Sequence, residues 1–554
     1  MTARSINKPT FNLIDDPWLR CLDVHGEAKT VSLRELFERI TEFSRLAGEL
    51  PTQDMAIFRI LLVIFWRAHH DVPKLKNSGA EDRSEWWIEE FTGDTDFAPR
   101  VLAYLEQHRD RFELFHPVTP FMQVADLQTA KDTYNDLGKL IPDSESEYFS
   151  MRAGSGLDDI SFAEAARWLI HLHAWDYAGI KPGVLRDKNV KGGKSYSIGT
   201  GWSGRSGGVI LHGSNLRESL LLNTNPDEVF TEDQAQDLPV WERAADGPGT
   251  TGKERSTGPC DLLTWQSRRV RLFTRNNRVV GVLATNGDKL ELKNHFNDPM
   301  TAYRYSKPQS KKHQIVHMPK THDASRTLWR GIEPLLVREG VVEGPAETRD
   351  KQPATVRWLH EMRRFDEQLL KNNVIGVELV GQEYGPQDST YFLTIHEELP
   401  LRLSLLVDSD PAASHLLVTT ANSTMNAAIA VGQFAGNLAV AAGGTYEFQA
   451  DQTDAVLHRL NEPFKQWLTS YSPDADPLER RRQWFRYAKH ISLRIAQDLV
   501  RGAGSSALIG REVDERLVSA ATAWNILQSQ LNKHLTSEPP GAQQKSANQR
   551  KVTA

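Results

Sequence analysis

The chain has 554 residues, a formal net charge of -6, 39% hydrophobic residues and 25% charged residues. This length exceeds what one hydrophobic core organises, so two or three domains are expected, and the composition is that of a soluble globular protein. The longest apolar run, Ile60 to Trp66, falls well short of the roughly 20 residues of a membrane span, and two cysteines, Cys21 and Cys260, can build neither a disulfide framework nor a four-thiolate metal site. The N-terminal MTARSINKPT lacks a signal-peptide core, so a cytoplasmic protein is expected. The negative net charge leaves nucleic-acid binding open, because phosphate contacts depend on where cations cluster.

Residues 11–50 read as a short strand, a turn at Asp15-Asp16-Pro17, a second strand, a turn around His25-Gly26, and a helix capped by Ser32 with Glu35 three residues on. Gln53 to His70 is apolar on nearly all sides and reads as a buried helix. His69-His70-Asp71 at its end reads as an ordinary helix C-terminus rather than a metal site, since adjacent helical histidines point apart. Two further helices are expected within Glu85–Gln123, then a kinked segment, RFELFHPVTPFMQ, anchored by Phe112, Phe115 and Phe121. Residues 127–160 read as a long polar surface loop. A core helix follows from Ser161 to about Tyr177, with His171 and His173 structural.

Residues 178–208 carry nine glycines with Lys181, Arg186, Lys188, Lys191, Lys194 and Arg205 against the single acid Asp187. Glycines permit close backbone approach and the cations suit phosphate. Gly193-Lys194-Ser195 is not a P-loop, because Lys188 stands where that motif needs glycine. Gly208 to Asn223 reads as strand, turn and helix start, and 244–259 as a loop. A hairpin is expected around Asn286-Gly287, with VVGVLA and KLEL as its strands and Lys289 just past the tip. After the basic stretch YRYSKPQSKKHQIVH, helices are expected near 325–337 and 354–373. Residues 374–395 read as two strands around a Gly-Pro turn, with Gln387 near the tip. His396-Glu397-Glu398 is not a zincin motif, since Pro400 occupies the second histidine position.

Beyond about Ser404 four apolar-periodic segments predict an antiparallel four-helix bundle, in which Arg480, Arg481, Arg482, Arg486 and Lys489 form a basic face. The fold class is therefore α+β: a mixed domain over 1–403, a four-helix bundle over 404–536, and a disordered tail over 537–554.

The ordered motifs FNLIDDPWL, PTQDMAIFRILLVI, RFELFHPVTPFMQ and HGSNLRESLLLN, followed by the bundle, resemble the CasA family. That family is the large subunit of the type I-E CRISPR surveillance complex Cascade. The resemblance implies a non-enzymatic subunit that reads the protospacer-adjacent motif (PAM) in double-stranded target DNA, helps open the duplex into an R-loop and recruits a helicase–nuclease. Base pairing to the guide reads the remaining sequence. The implied partners are the CRISPR RNA and the backbone, small and 5′-end-binding subunits, with no cofactor, no metal and no membrane.

By motif, Lys289 corresponds to a lysine entering the minor groove, and Gln387, with Asp388 and Ser389 beside it, to a wedge. Gly183, or less well Gly179, corresponds to a glycine lying against the DNA backbone, and Phe149 to a contact on a mobile loop. Lys188, Lys191, Lys194, Arg480, Arg481 and Arg486 are candidate backbone contacts. The competing readings are a hydrolase whose metal site draws on His69, His70, Asp71 and the histidines of 295–322, and a scaffold that binds only protein.

Overall fold

The computed structural model describes residues 9–76, 79–142, 158–231, 235–311, 314–322, 345–362, 374–402, 411–470, 476–513 and 516–536. Phe149, the helix expected near 325–337 and the tail 537–554 lie outside them. The chain divides into two compact units, with the main change at Glu398/Leu399 and Val374 also belonging to the second.

The first unit opens with a three-stranded antiparallel sheet, in which β1 (Leu19–Asp23) lies between β2 (Ala28–Val31) and β3 (Phe43–Leu46). The strand expected before Asp15 is instead an Asx turn. The Asn12 side chain accepts from the Ile14 amide at 3.0 Å, and the Asn12 amide donates to Asp16 at 2.7 Å. The turn at Gly26 has φ +84°, as the sequence implied. Helix α1 (Leu33–Glu38) begins at Ser32, whose hydroxyl accepts from the Glu35 amide at 3.1 Å.

Helix α2 (Pro51–His69) is the centre of this unit and is buried along almost its whole length. Around it pack α4 (Ala98–Gln107) and α5 (Phe162–Trp175), with α3 (Ala80–Thr92) further along the chain path. Buried Arg59 on α2 reaches Asp298 at 2.8 Å and the Ser203 hydroxyl at 2.5 Å, so the apolar helix also fixes a later loop and a later short helix. His171 pairs with the Thr52 hydroxyl at 3.1 Å and His173 with the Met122 carbonyl at 2.9 Å. Burial pushes these two imidazoles down to about 3 and about 4, so both are neutral core residues.

Of the expected loop 127–160, residues 143–157 lie outside the described residues, and the remainder differs from the surface loop its polarity implied. Leu127, Leu137, Leu140 and Ile141 are buried, and Asn135 and Ile160 bridge to Val282 and Val279. Its few apolar residues, spaced among polar ones, find a strand edge rather than solvent.

The glycine-rich stretch contains β4 (Lys181–Pro182), β5 (Lys194–Ser195) and α6 (Trp202–Ser206). Then come β6 (Gly208–His212), α7 (Leu216–Leu222), α8 (Pro226–Val229) and α9 (Pro259–Leu263).

Strands β7 (Arg268–Arg275) and β8 (Arg278–Asn286) form the hairpin of this region, and its turn is not where the Asn286-Gly287 dipeptide implied. Asn276 and Asn277, at φ +52° and +57°, make the two-residue turn, while Asn286 is the last residue of β8, paired with Arg268. Asparagine tolerates the left-handed region nearly as glycine does, so Asn-Asn competes for the same role. KLEL is loop, not a returning strand.

Downstream lie the small ribbon of β9 (Tyr303–Tyr305) and β10 (His317–Pro319), then α10 (Ala354–Met362). The long hairpin β11 (Val374–Tyr384) and β12 (Tyr391–Arg402) completes the sheet β12-β11-β6. In the β11–β6 pair Gly376 faces His212 and Val380 faces Gly208.

In the second unit α11 (Pro411–Ala441) packs against α12 (Ala450–Thr469), α13 (Pro477–Gly502) and α15 (Ala520–His534). Between the third and fourth long helices stand a short α14 (Gly504–Ile509) and a ribbon of β13 (Arg511–Val513) and β14 (Arg516–Val518), which the helical periodicity did not reveal. The buried Trp484 indole N–H donates to Thr424 at 2.9 Å, tying α13 to α11.

Candidate nucleic-acid interface

Lys289 is exposed, and the three residues before it are held from every side. Asn286 donates from Nδ2 to the carbonyls of Gly179 (3.2 Å), Ser195 (3.1 Å) and Tyr196 (3.0 Å). Gly287 donates to the Ser267 carbonyl at 2.9 Å, and a Cβ there would stand 2.7 Å from the Gln266 carbonyl oxygen. Asp288 is bound by Arg269 at 2.5 Å, accepts from the Thr251 and Gly252 amides at 2.6 and 3.0 Å, and receives the Trp265 indole N–H at 3.0 Å. Lys289 itself has no ion pair or hydrogen bond among the described residues, so a free cation extends from a rigid mount. The glycine of Asn286-Gly287 is needed for close packing, not for a turn.

Gln387 sits on the tip joining β11 and β12. Gln387 and Asp388 both adopt left-handed backbone, at φ +59° and +55°. The Asp388 amide donates to the Gly385 carbonyl at 2.9 Å, its carbonyl accepts from the Ala178 amide at 2.8 Å, and its carboxylate meets Arg205 at 2.8 Å. The Ser389 hydroxyl turns inward to the Pro386 carbonyl at 2.7 Å. The Gln387 side chain is exposed and makes no hydrogen bond among the described residues.

These two elements, far apart in sequence, line one open cleft of about 670 Å³ together with Ala178, Gly199, Trp202 and Arg205. Of the lining cations, Lys289 and Lys293 have no carboxylate partner among the described residues, whereas Arg205 is engaged by Asp388.

The glycine stretch is a folded ribbon beside this cleft. Gly192 and Gly193, at φ +58° and +73°, make a two-residue turn between Lys191 and Lys194, whose backbones exchange bonds at 3.0 and 3.1 Å. Lys188, Lys191 and Lys194 are exposed and unpaired among the described residues. Gly183 has an intramolecular reason to be glycine, since a Cβ would stand 2.5 Å from Val190 and 2.7 Å from the Gly193 backbone. Gly179 is more open, with nothing nearer to such a Cβ than the Tyr177 ring at 3.7 Å. Lys181 is consumed internally: it pairs with buried Asp176 at 2.7 Å beside Arg268 and lies 4.5 Å over the Tyr177 ring.

The basic run on α13 is less free than its composition implied. Arg480 caps the preceding helix through the Trp467 and Ser470 carbonyls at 2.6 and 2.8 Å, Arg482 and Arg486 pair with Glu479, and Arg481 packs 4.8 Å over the Phe485 ring. Arg486 is nevertheless largely exposed.

Sequence reasoning missed Asn286 as an anchor and Arg205 as a partner of the tip. It also missed a second cleft of about 230 Å³, where His212 and His396 meet opposite oxygens of Glu378 at 2.6 and 2.9 Å, near Asp54 and the Arg45–Glu398 pair. Burial disfavours the ionised Glu378, but the two imidazole bonds outweigh it and hold its carboxyl down at about 2. The signal available was the distribution of these residues over three strands, which is invisible until the strands pair. Among the described residues no cluster of three or more His, Cys, Asp or Glu side chains could hold a metal ion, and no helix is long and apolar enough to cross a membrane.

A mixed α+β unit is followed by a helical bundle, and in the first unit an exposed lysine and an exposed hairpin tip stand at one polar cleft. The chain belongs to the CRISPR-associated protein Cse1 family, whose model matches residues 12–495. It is 31% identical over 341 residues to the CasA/Cse1 protein of Thermus thermophilus, an alignment covering 60% of this chain and 61% of that protein. The crystal structure of Thermobifida fusca Cse1 matches with a TM-score of 0.85 at 34% identity, over 96% of this chain and 99% of that one. A chain of a CRISPR RNA-guided surveillance complex shares the fold, with a TM-score of 0.68 at 17% identity over 95% of this chain and 100% of that one.

Proposed function

We propose that this chain is the large subunit of a type I-E CRISPR RNA-guided surveillance complex. In this reading the cleft lined by Lys289 and Gln387 receives the PAM of double-stranded target DNA. The observation that carries the reading is the convergence of a free cation and a free amide, each on its own rigid mount, at one open cleft. Lys289 enters the minor groove, where base acceptors are degenerate, so it reads the motif permissively. Gln387 inserts beside the motif and splits the first base pairs, an unstacking cost of a few kcal/mol per step that guide pairing offsets. Lys188, Lys191 and Lys194 on the adjacent ribbon neutralise phosphates, and Gly179, rather than the tightly packed Gly183, is the glycine with room for a DNA backbone. The subunit performs no chemistry itself and recruits a helicase–nuclease once the duplex is open.

The test is binding of the guide-loaded, reconstituted complex to matched duplexes with and without the motif, using wild type, Lys289→Ala and Gln387→Ala. Both substitutions are expected to reduce the advantage conferred by the motif. If the advantage persists in both variants, the cleft is not the reading site.

A further inference from the structure

Resting on the wedge reading of Gln387, we infer that Arg205 and Asp388 are a positioning pair that presents this glutamine, and that Asp388 is not itself a DNA contact. The tip contains two consecutive non-glycine residues in left-handed backbone, a conformation that survives only where surrounding contacts enforce it. Among the described residues, the polar contacts that reach the tip from outside its own hairpin converge on Asp388: the Ala178 amide on its carbonyl at 2.8 Å and the Arg205 guanidinium on its carboxylate at 2.8 Å. Gln387 is left with its side chain in the cleft.

Arg205 is mounted to do this. It projects from α6, where a Cβ on Gly201 would stand 2.3 Å from the Ala174 carbonyl oxygen, so the start of α6 lies directly against the end of α5. Trp202 on the same turn donates to buried Asp298 at 2.7 Å, and Ser203 receives Arg59. Gly199 leaves room for the guanidinium, whose Nη2 would lie 3.3 Å from a Cβ at that position. The base of the pair is thus fixed in the core while its head is only about one-third exposed. A carboxylate facing phosphates is repelled unless neutralised, so a bound Arg205 also removes the charge that would oppose DNA approach.

The experiment compares the reconstituted complex carrying Arg205→Met, Asp388→Asn, Gln387→Ala, or the exchanged pair Arg205→Asp with Asp388→Arg. Each is assayed on an intact motif-bearing duplex and on the same target with its first base pairs pre-melted. For a partly exposed ion pair the expected loss on the intact duplex is about twofold to fivefold for each single variant, with the pre-melted target bound as tightly as by wild type. The exchanged pair is expected to bind the intact duplex better than either single variant. Wild-type behaviour of both singles on the intact duplex overturns the proposal, as does an equal loss on both targets. Gln387→Ala separates the two layers. If it too lacks a duplex-specific loss, the wedge reading fails; if it shows that loss while Arg205→Met and Asp388→Asn do not, only the positioning pair fails.

Discussion

Asn286 donates from its side-chain amide to the Gly179 carbonyl at 3.2 Å, so the residue that ends β8 also fixes the glycine ribbon. Its bonds to the Ser195 and Tyr196 carbonyls at 3.1 and 3.0 Å extend the grip to the ribbon's second strand. One buried side chain therefore sets the spacing between the lysine three residues on and the lysines of the ribbon.

Lys289→Ala removes an exposed, unpaired side chain, so the melting temperature should stay at the wild-type value. Affinity for motif-bearing duplex should fall by about 1–3 kcal/mol, the worth of one base-reading contact. Parallel melting curves and binding isotherms on the assembled complex check both halves.

Gly287→Ala should behave differently, because its new methyl would stand 2.7 Å from the Gln266 oxygen and 3.0 Å from the Ser267 oxygen. These are backbone atoms and cannot move aside cheaply. A destabilisation of about 1–3 kcal/mol is expected, with weakened motif reading as Lys289 is displaced. An unchanged melting temperature would show that the packing is looser than these distances state.

Lys191 and Lys194 flank the Gly192-Gly193 turn and face solvent without carboxylate partners among the described residues. Replacing both by alanine should weaken binding of all duplexes alike and reduce the salt dependence by about one unit of slope for each phosphate no longer neutralised. A loss confined to motif-bearing DNA would assign them to base reading instead.

Two carboxylates of the second cleft are driven in opposite directions. Burial raises the Asp54 carboxyl to about 7 despite the bond from the Gly48 amide at 2.7 Å, with Glu378 adding to the rise. An unfolded aspartate ionises near 3.8, so raising the pH from about 4 to 7 costs folding free energy at this site. Asp54→Asn should therefore match wild type near pH 4 and become more stable by about 1–3 kcal/mol at pH 8. Glu378 contributes the other way: its stabilisation is present above about 4.5 and is lost as pH falls through about 2. Melting curves across this range test the Asp54 assignment, which parallel pH profiles of variant and wild type would contradict.

Much of the frame was legible because its signals are local. The apolar surface of α2, the cap at Ser32, the start of α5 at Ser161 and the 3.6-residue period of the long C-terminal helices each lie within a few turns of chain. The hairpin tip carrying Gln387 was legible for the same reason, through its Gly-Pro turn. The hairpin near Lys289 was misread because two dipeptides there have turn chemistry, Asn276-Asn277 and Asn286-Gly287, and only strand register chooses between them. The basic run on α13 read as a free face because composition does not say that Arg480 and Arg486 have carbonyl and carboxylate partners nearby.

By itself the sequence determined the long helices, the cap at Ser32, the hairpin tip carrying Gln387 and an ordered set of motifs that resembles one family. These follow from backbone preference and hydrophobic period, which act over a few residues. Only the tertiary structure decided that Lys289 and Gln387 share a cleft, that Asp388 belongs to Arg205, and that Glu378 sits between two histidines. Such pairings depend on strand register and on buried hydrogen bonds between residues far apart in the chain, and no local pattern encodes them.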